Sequence, residues 1–141
     1  MATFDLDRFV RAQAPVYDAV LAELAAGEKR SHWMWFVFPQ LRGLGRSAMA
    51  FEYGLESLDE ARAYLRHALL GPRLTACTGL VNQTQGRPIR AIFGSPDDLK
   101  FRSCMTLFAS VSDGPDVFAI ALGKYFGGER DAATLEKLKR G

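Results

Sequence analysis

Residues 32–47 read HWMWFVFPQLRGLGRS, and the need to bury this stretch constrains how the rest of the chain folds. Two tryptophans and two phenylalanines fall within its first eight residues. A surface loop does not expose that much aromatic area to water, so the segment must be buried or must line a pocket. We expect an irregular or short helical element here, because no second strand-like run exists to pair with it.

Capping signals divide the rest of the chain into helices. Residues 57–60 read SLDE, the spacing of a capping box in which Ser57 and Glu60 each satisfy a free amide at a helix start. The Gly71-Pro72 pair predicts a break before the next helix. With no confident β-hairpin and no repeat, the pattern predicts an all-α fold with little or no β-sheet, formed by one domain over residues 1–141.

A further helix start lies at residues 95–97. Ser95 stands where a cap is expected, Pro96 at the first helical position, and Asp97 over the positive end of the helix dipole. The helix that follows is apolar over much of its circumference, which predicts a central position in the fold.

Composition limits the classes of protein to consider. The chain has 141 residues, 48% of them hydrophobic and 24% charged, which is typical of a soluble globular protein. No apolar run reaches the roughly 18 residues of a membrane span, and the first ten residues lack a basic leader, so we expect a cytoplasmic protein that does not bind membranes. The net charge of +2 argues against nucleic-acid binding.

The two cysteines, Cys77 and Cys104, stand alone in stretches that we interpret as helical. Neither has a second metal-type ligand at a useful spacing, so we predict two buried free thiols, no metal site and no cofactor. The chain also lacks the sequence patterns of zinc proteases and of α/β-hydrolases.

The aromatic segment admits two interpretations. The rings of Trp33, Trp35, Phe36 and Phe38 fill the core, or one or two of them stack on a planar ligand such as a base. Gln40 follows them and has an amide that can bind a base edge. Both interpretations can hold at once, because a core ring can present one edge to a cleft.

The ligand hypothesis gathers residues from several stretches of the chain. We expect one cleft to be formed by His32, Trp33, Trp35, Gln40, Ser47, Arg73 and Lys100. Its ligand would be a nucleotide, ADP-ribose or another sugar-like molecule, because aromatic rings, an amide and cations suit such molecules. If the site is catalytic, we expect hydrolysis of an N-glycosidic bond, with Asp97 or Glu52 as acid or base and His32 as a further candidate for proton transfer.

A non-catalytic protein-protein interaction module is the alternative. It would carry an exposed, contiguous apolar patch of more than several hundred Å². The small-ligand domain and the interaction module both stay open at this point.

Several blocks along the chain resemble one family. They are residues 32–47, LLGPRL at 69–74, IFGSPDDLKF at 92–101 and KFRSCMTLF at 100–108. In this order they are similar to the family called domain of unknown function 1810, whose members have no established biochemical role. The resemblance implies a compact, mostly helical single domain.

Overall fold

The computed structural model describes residues 4–113 and 116–140. Within those residues the chain forms ten α-helices and no strand, which confirms the predicted all-α fold. The helices are α1 (Asp7–Gln13), α2 (Tyr17–Ala25), α3 (Met34–Val37), α4 (Ala48–Glu52), α5 (Leu58–Arg66), α6 (Leu70–Gln83), α7 (Ile89–Phe93), α8 (Asp97–Val111), α9 (Val117–Phe126) and α10 (Ala132–Arg140). One isolated parallel bridge joins Leu41 to Leu55.

Helix α8 lies at the centre, as its apolar circumference predicts. It packs against α5, α7, α9 and α10, and five of its apolar side chains are fully buried: Phe101, Cys104, Met105, Leu107 and Phe108. Both cysteines are buried free thiols, as expected. Burial raises the pKa of Cys77 to about 11 and raises that of Cys104 as well, so neither is a reactive thiolate near neutral pH.

The aromatic segment contributes rings to two sides of the core. The centroid of Phe36 lies 5.3 Å from that of Tyr53, which in turn packs on Phe9. Phe38 points elsewhere, with its centroid 5.7 Å from that of Phe93 and 5.2 Å from that of Phe101. The short helix α3 therefore joins the N-terminal helices to α7 and α8.

The predicted break at Gly71-Pro72 is wrong, because both residues lie in the first turn of α6. Amides in a first turn have no partner within the helix, so Pro72 loses no hydrogen bond there. The cap is His67 instead, whose Nδ1 accepts hydrogen bonds from the N–H groups of Leu69 at 3.1 Å and Leu70 at 3.2 Å.

Gly71 sets how closely α6 approaches the end of α5. A β-carbon at this position would lie 2.0 Å from the carbonyl oxygen of Leu65, which is inside van der Waals contact. Only glycine fits here, and the chain can therefore turn from α5 into α6 over three residues.

The two predicted helix starts have different outcomes. Ser57 Oγ accepts a hydrogen bond from the N–H of Glu60 at 3.2 Å, which confirms the cap on α5. The predicted serine cap on α8 is wrong, because the helix begins at Asp97 and Pro96 precedes it without a side-chain cap. The carbonyl of Pro96 accepts from the N–H of Lys100 at 3.1 Å, so the backbone closes this first turn.

Helix α9 closes the C-terminal end of α6. Lys124 Nζ donates hydrogen bonds to the carbonyl oxygens of Asn82 at 2.5 Å and Thr84 at 2.6 Å. The next residue, Tyr125, donates its hydroxyl to the carbonyl of Val81. The two bonds of Lys124 give partners to carbonyls at the helix end, and the Val81 carbonyl accepts from Tyr125 as well as from the N–H of Thr84.

A buried ion pair ties α1 to the start of α5. Arg8 donates to Glu60 Oε2 at 3.0 Å, and the two side chains are 11% and 3% exposed. The same guanidinium donates to the carbonyl oxygens of Glu52 at 2.8 Å and Gly54 at 3.1 Å. Arg8 therefore holds the segment between α4 and α5 against α1.

Replacing Arg8 by Ala should lower the free energy of unfolding by about 3–5 kcal/mol, because it leaves the Glu60 carboxylate buried without a counter-ion. Arg11→Ala is the matched control, since Arg11 pairs with Asp7 on the exposed face of α1 and should cost less than about 1 kcal/mol. Urea unfolding at pH 7 measures both. Equal losses in the two variants would contradict this account of Arg8.

Candidate functional site

Three of the predicted ligand-binding residues share one small space. Trp35, Gln40 and Lys100 line it together with Tyr53, and Lys100 Nζ lies 5.3 Å from the centroid of the Trp35 ring. The free volume between them is about 10 Å³. That is room for one water molecule, so these three residues meet but leave no cavity of ligand size.

Asp97 lies beside this space, between two lysines. Its carboxylate is 2.9 Å from Lys29 Nζ and 3.5 Å from Lys100 Nζ. The Lys29 side chain is only 8% exposed, and its Nζ lies 5.1 Å from the centroid of the Trp33 ring, which is fully buried. Sequence reasoning missed Lys29, because nothing in its neighbourhood predicts that a lysine there is buried.

The other predicted residues have different surroundings. The Arg73 guanidinium lies 4.2 Å from the centroid of Tyr17 and donates to Gln13 Oε1 at 3.3 Å. Ser47 Oγ caps α4 by accepting from the N–H of Ala50 at 3.0 Å. His32 is exposed. Roles for these residues in ligand binding stay predictions.

Glu23 fixes the residues that lead into the aromatic segment. Its Oε1 accepts from the N–H groups of Arg30 at 2.7 Å and Ser31 at 3.0 Å and from Trp33 Nε1 at 2.9 Å, while its Oε2 accepts from Ser31 Oγ at 2.6 Å. Burial opposes ionisation of this carboxyl. The four hydrogen bonds outweigh that effect and lower its pKa from 4.5 to about 2.

A wider concave surface lies between the start of α5 and α10. This basic groove has a volume of about 480 Å³ and is lined by Leu41, Arg42, Glu56, Ser57, Leu58, Asp59, Arg62, Lys137 and Leu138. Small-molecule sites in proteins have volumes of roughly 300–1,000 Å³. The groove is therefore large enough for a small ligand, whereas the space beside Trp35 is not.

The backbone bridge between residues 41 and 55 builds one wall of the basic groove. The N–H of Arg42 donates to the carbonyl of Leu55 at 2.8 Å, and the N–H of Leu55 donates to the carbonyl of Gln40 at 2.9 Å. These bonds place Arg42 beside Glu56, whose Oε2 is 3.9 Å from the guanidinium. Two stretches that are separate in sequence thereby present their side chains to the same groove.

The three cations of the groove differ in how they are held. Arg42 lies 4.5 Å from the centroid of Phe51 and donates from Nε to the Phe51 carbonyl at 2.9 Å. Arg62 pairs with Asp59 at 3.0 Å. Lys137 makes no ion pair with any residue that the structure describes. The Lys137 ammonium is therefore the charge most available to an anion.

A second concave surface adjoins the groove. This acidic depression has a volume of about 250 Å³ and shares Arg42 and Glu56 with the basic groove. Its other lining residues are Phe4, Asp5, Arg8, Glu52 and Glu60. Glu52, the second predicted acid or base, thus lies here and lines a different surface from Lys100.

Sequence reasoning missed Arg42, Arg62 and Lys137. The first two stand near signals that were recognised, since Arg42 belongs to the 32–47 stretch and Arg62 follows the capping box. Their convergence with Lys137 depends on where α10 packs, which no local pattern encodes. The sequence signal that could have indicated the groove is a positive side chain on each of three separate elements. That signal is weak.

Metal binding and membrane spanning find no support in the described residues. No group of three or more His, Cys, Asp or Glu side chains among residues 4–113 and 116–140 is arranged to hold a metal ion. In the same residues, no helix has both the length and the apolar character needed to cross a bilayer.

Comparison with known proteins gives the family of the chain. A family model described as "Protein of unknown function (DUF1810)" matches residues 3–138. The chain belongs to this family. It is 63% identical to the conserved hypothetical protein Rv1873 from Mycobacterium tuberculosis, whose crystal structure at 1.38 Å superposes with a TM-score of 0.95 over 96% of this chain and 97% of that one. No curated protein matches significantly.

Replacing Glu23 by Gln should lower the free energy of unfolding at pH 7 by about 1–3 kcal/mol, because charged hydrogen bonds are lost. The folded pKa lies below the unfolded value, so the carboxylate stabilises the fold above pH 4.5 and loses this effect as the pH falls toward 2. Urea unfolding between pH 7 and 2.5 should show the two curves converging. A difference that is independent of pH would refute the role of the charge.

Trp33→Ala should destabilise the fold by about 3–5 kcal/mol, the usual effect of removing a fully buried large ring. Trp35→Ala should cost less than about half of that amount, because the Trp35 ring is only partly buried. Denaturant unfolding followed by far-UV circular dichroism measures both. If Trp35→Ala proves as damaging as Trp33→Ala, then Trp35 belongs to the core and is not available for stacking.

Proposed function

We propose that this protein binds a small phosphorylated ligand of the nucleotide or ADP-ribose class, and that it does so in the basic groove. The observation that supports this proposal is the convergence of Arg42, Arg62 and Lys137 on one groove of about 480 Å³. Guanidinium and ammonium groups are the side chains that bind phosphate most strongly in proteins. With two carboxylates also present, the lining keeps one net positive charge.

The remaining lining suits the other parts of such a ligand. The carboxylates of Glu56 and Asp59 can accept hydrogen bonds from sugar hydroxyls, and each already lies near a guanidinium that would be shared with phosphate. A planar base needs apolar surface to lie on. Two half-buried leucines, Leu58 and Leu138, supply it.

In the basic groove the ligand lies away from Trp33 and Trp35. A ligand cannot enter the space of about 10 Å³ beside Trp35 unless that side chain moves. The Asp97 carboxylate is held by two lysines, and Glu52 lines the acidic depression, so the two candidates for acid or base catalysis belong to different surfaces. The geometry therefore supports binding rather than hydrolysis.

Titration of ADP-ribose and AMP into the protein tests the proposal. A ligand at a hundred times its Kd should raise the free energy of unfolding by about 2.7 kcal/mol, which is visible in thermal melting. Lys137→Ala should weaken binding of both ligands about tenfold, because one charge-assisted contact to phosphate is lost. Lys139→Ala, on the same helix but outside the groove, is the matched control and should bind as the wild type does.

Isothermal titration calorimetry distinguishes the alternatives. If neither AMP nor ADP-ribose binds, the proposal is overturned and the interaction-module alternative becomes the better hypothesis. If both variants lose affinity equally, binding reflects overall charge and the groove is not the site. If Trp35→Ala abolishes binding while Lys137→Ala has no effect, the site is at the tryptophans, which also overturns the proposal.

A further inference from the structure

We propose that His67 makes the junction between α5 and α6 sensitive to pH, so that acid opens the start of α6. His67 is the first residue after α5 and lies three residues before the start of α6. Its backbone N–H donates to the Tyr64 carbonyl at 3.2 Å, and its carbonyl accepts from the N–H of Gly71 at 3.1 Å. One half-buried histidine therefore closes the last turn of α5 and the first turn of α6.

The side-chain hydrogen bonds of His67 exist only for the neutral ring. Nδ1 accepts from the N–H groups of Leu69 and Leu70, which requires the tautomer that carries its proton on Nε2. In the imidazolium both ring nitrogens are donors, so protonation removes the acceptor that these two amides share. The new positive charge also lies at the positive end of the α6 dipole. Both effects oppose protonation of His67 in the folded chain.

The first turn of α6 depends on this cap more than an ordinary helix start does. Pro72 has no N–H, so the Ala68 carbonyl receives no hydrogen bond from the residue four positions later. Leu70, whose amide the cap holds, is fully buried, and Gly71 follows it in close approach to the Leu65 carbonyl. Loss of the cap therefore loosens the place where the two helices lie closest together.

The ionisable groups around the junction leave His67 as the group that titrates. On the elements packed against it they are Arg66 on α5, Arg73 on α6, Tyr17 and Asp18 on α2, Asp113 after α8 and Asp116 before α9. None of these six groups forms an ion pair with His67 in the part of the chain that the structure describes. Arginine, tyrosine and aspartate side chains ordinarily keep one charge state between pH 7.5 and about 5.5.

The sign of the effect follows from the neutral form of the cap. Histidine ordinarily gains its proton near pH 6.5, and the cap exists only in the folded chain without that proton. Neutral His67 therefore stabilises the fold above about pH 6.5, and this stabilisation is lost as the pH falls below that value.

Urea unfolding at pH 7.5 and at pH 5.5 tests this proposal. His67→Asn keeps a cap that does not titrate, because asparagine accepts from the same amides. Between these two pH values the unfolding equilibrium constant of the wild type should rise about tenfold more than that of His67→Asn, since a lost cap has an effect of this size. His32→Asn removes the other histidine, which is exposed, and is the matched control that should keep the wild-type pH dependence.

Hydrogen exchange of the wild type gives a second measurement that needs no variant. The protection factors of the Leu69 and Leu70 amides should fall about tenfold between pH 7.5 and pH 5.5. The Glu60 amide is the internal control and should keep its protection factor, because the hydroxyl of Ser57 that caps it does not titrate.

Two results would overturn the proposal. One is a pH dependence of unfolding that is the same in the wild type and in His67→Asn. The other is a protection factor at Leu69 and Leu70 that changes with pH no more than that of Glu60, and this result decides the matter if His67→Asn does not fold.

Discussion

Burial of the aromatic segment at residues 33–38 is the constraint on which the rest of the structure depends. A helix as short as α3 cannot satisfy its own backbone, so buried polar atoms near it need partners from elsewhere. Gln13 supplies one by donating from Nε2 to the Phe36 carbonyl at 2.7 Å and to Tyr64 Oη at 3.1 Å, while its Oε1 accepts from Arg73. One buried amide thereby fixes α1, α5 and α6 around the aromatic rings.

Because the rings fill the interior, the concave surfaces of the fold lie at its edge. Trp33 is fully buried with the Lys29 ammonium against its ring, and the space beside Trp35 is no more than about 10 Å³. One of these surfaces, the basic groove, lies where the chain leaves the core after Gln40. There the bridge between residues 41 and 55 brings charged side chains together without a close-packed layer over them.

The sequence could predict features that depend on residues close together in the chain. The cap of Ser57 on Glu60 depends on residues three apart, and it was predicted correctly. The same reasoning misplaced the break near Pro72, because the cap there is the side chain of His67, which is an uncommon capping residue. The basic groove was missed for another reason: Lys137 reaches it only through the packing of α10, which depends on contacts distant in sequence. Patterns over a few residues do not carry that information.

The bonds from α9 to the C-terminal end of α6 affect how these two helices unfold locally. The last carbonyls of α6 are satisfied by Lys124 and Tyr125, which are adjacent on α9, so neither helix end can fray without breaking bonds of the other. Local openings follow the hydrogen bonds that must break together. We therefore expect the ends of the two helices to open together, so that fraying of α6 requires the loss of its bonds to Lys124 and Tyr125.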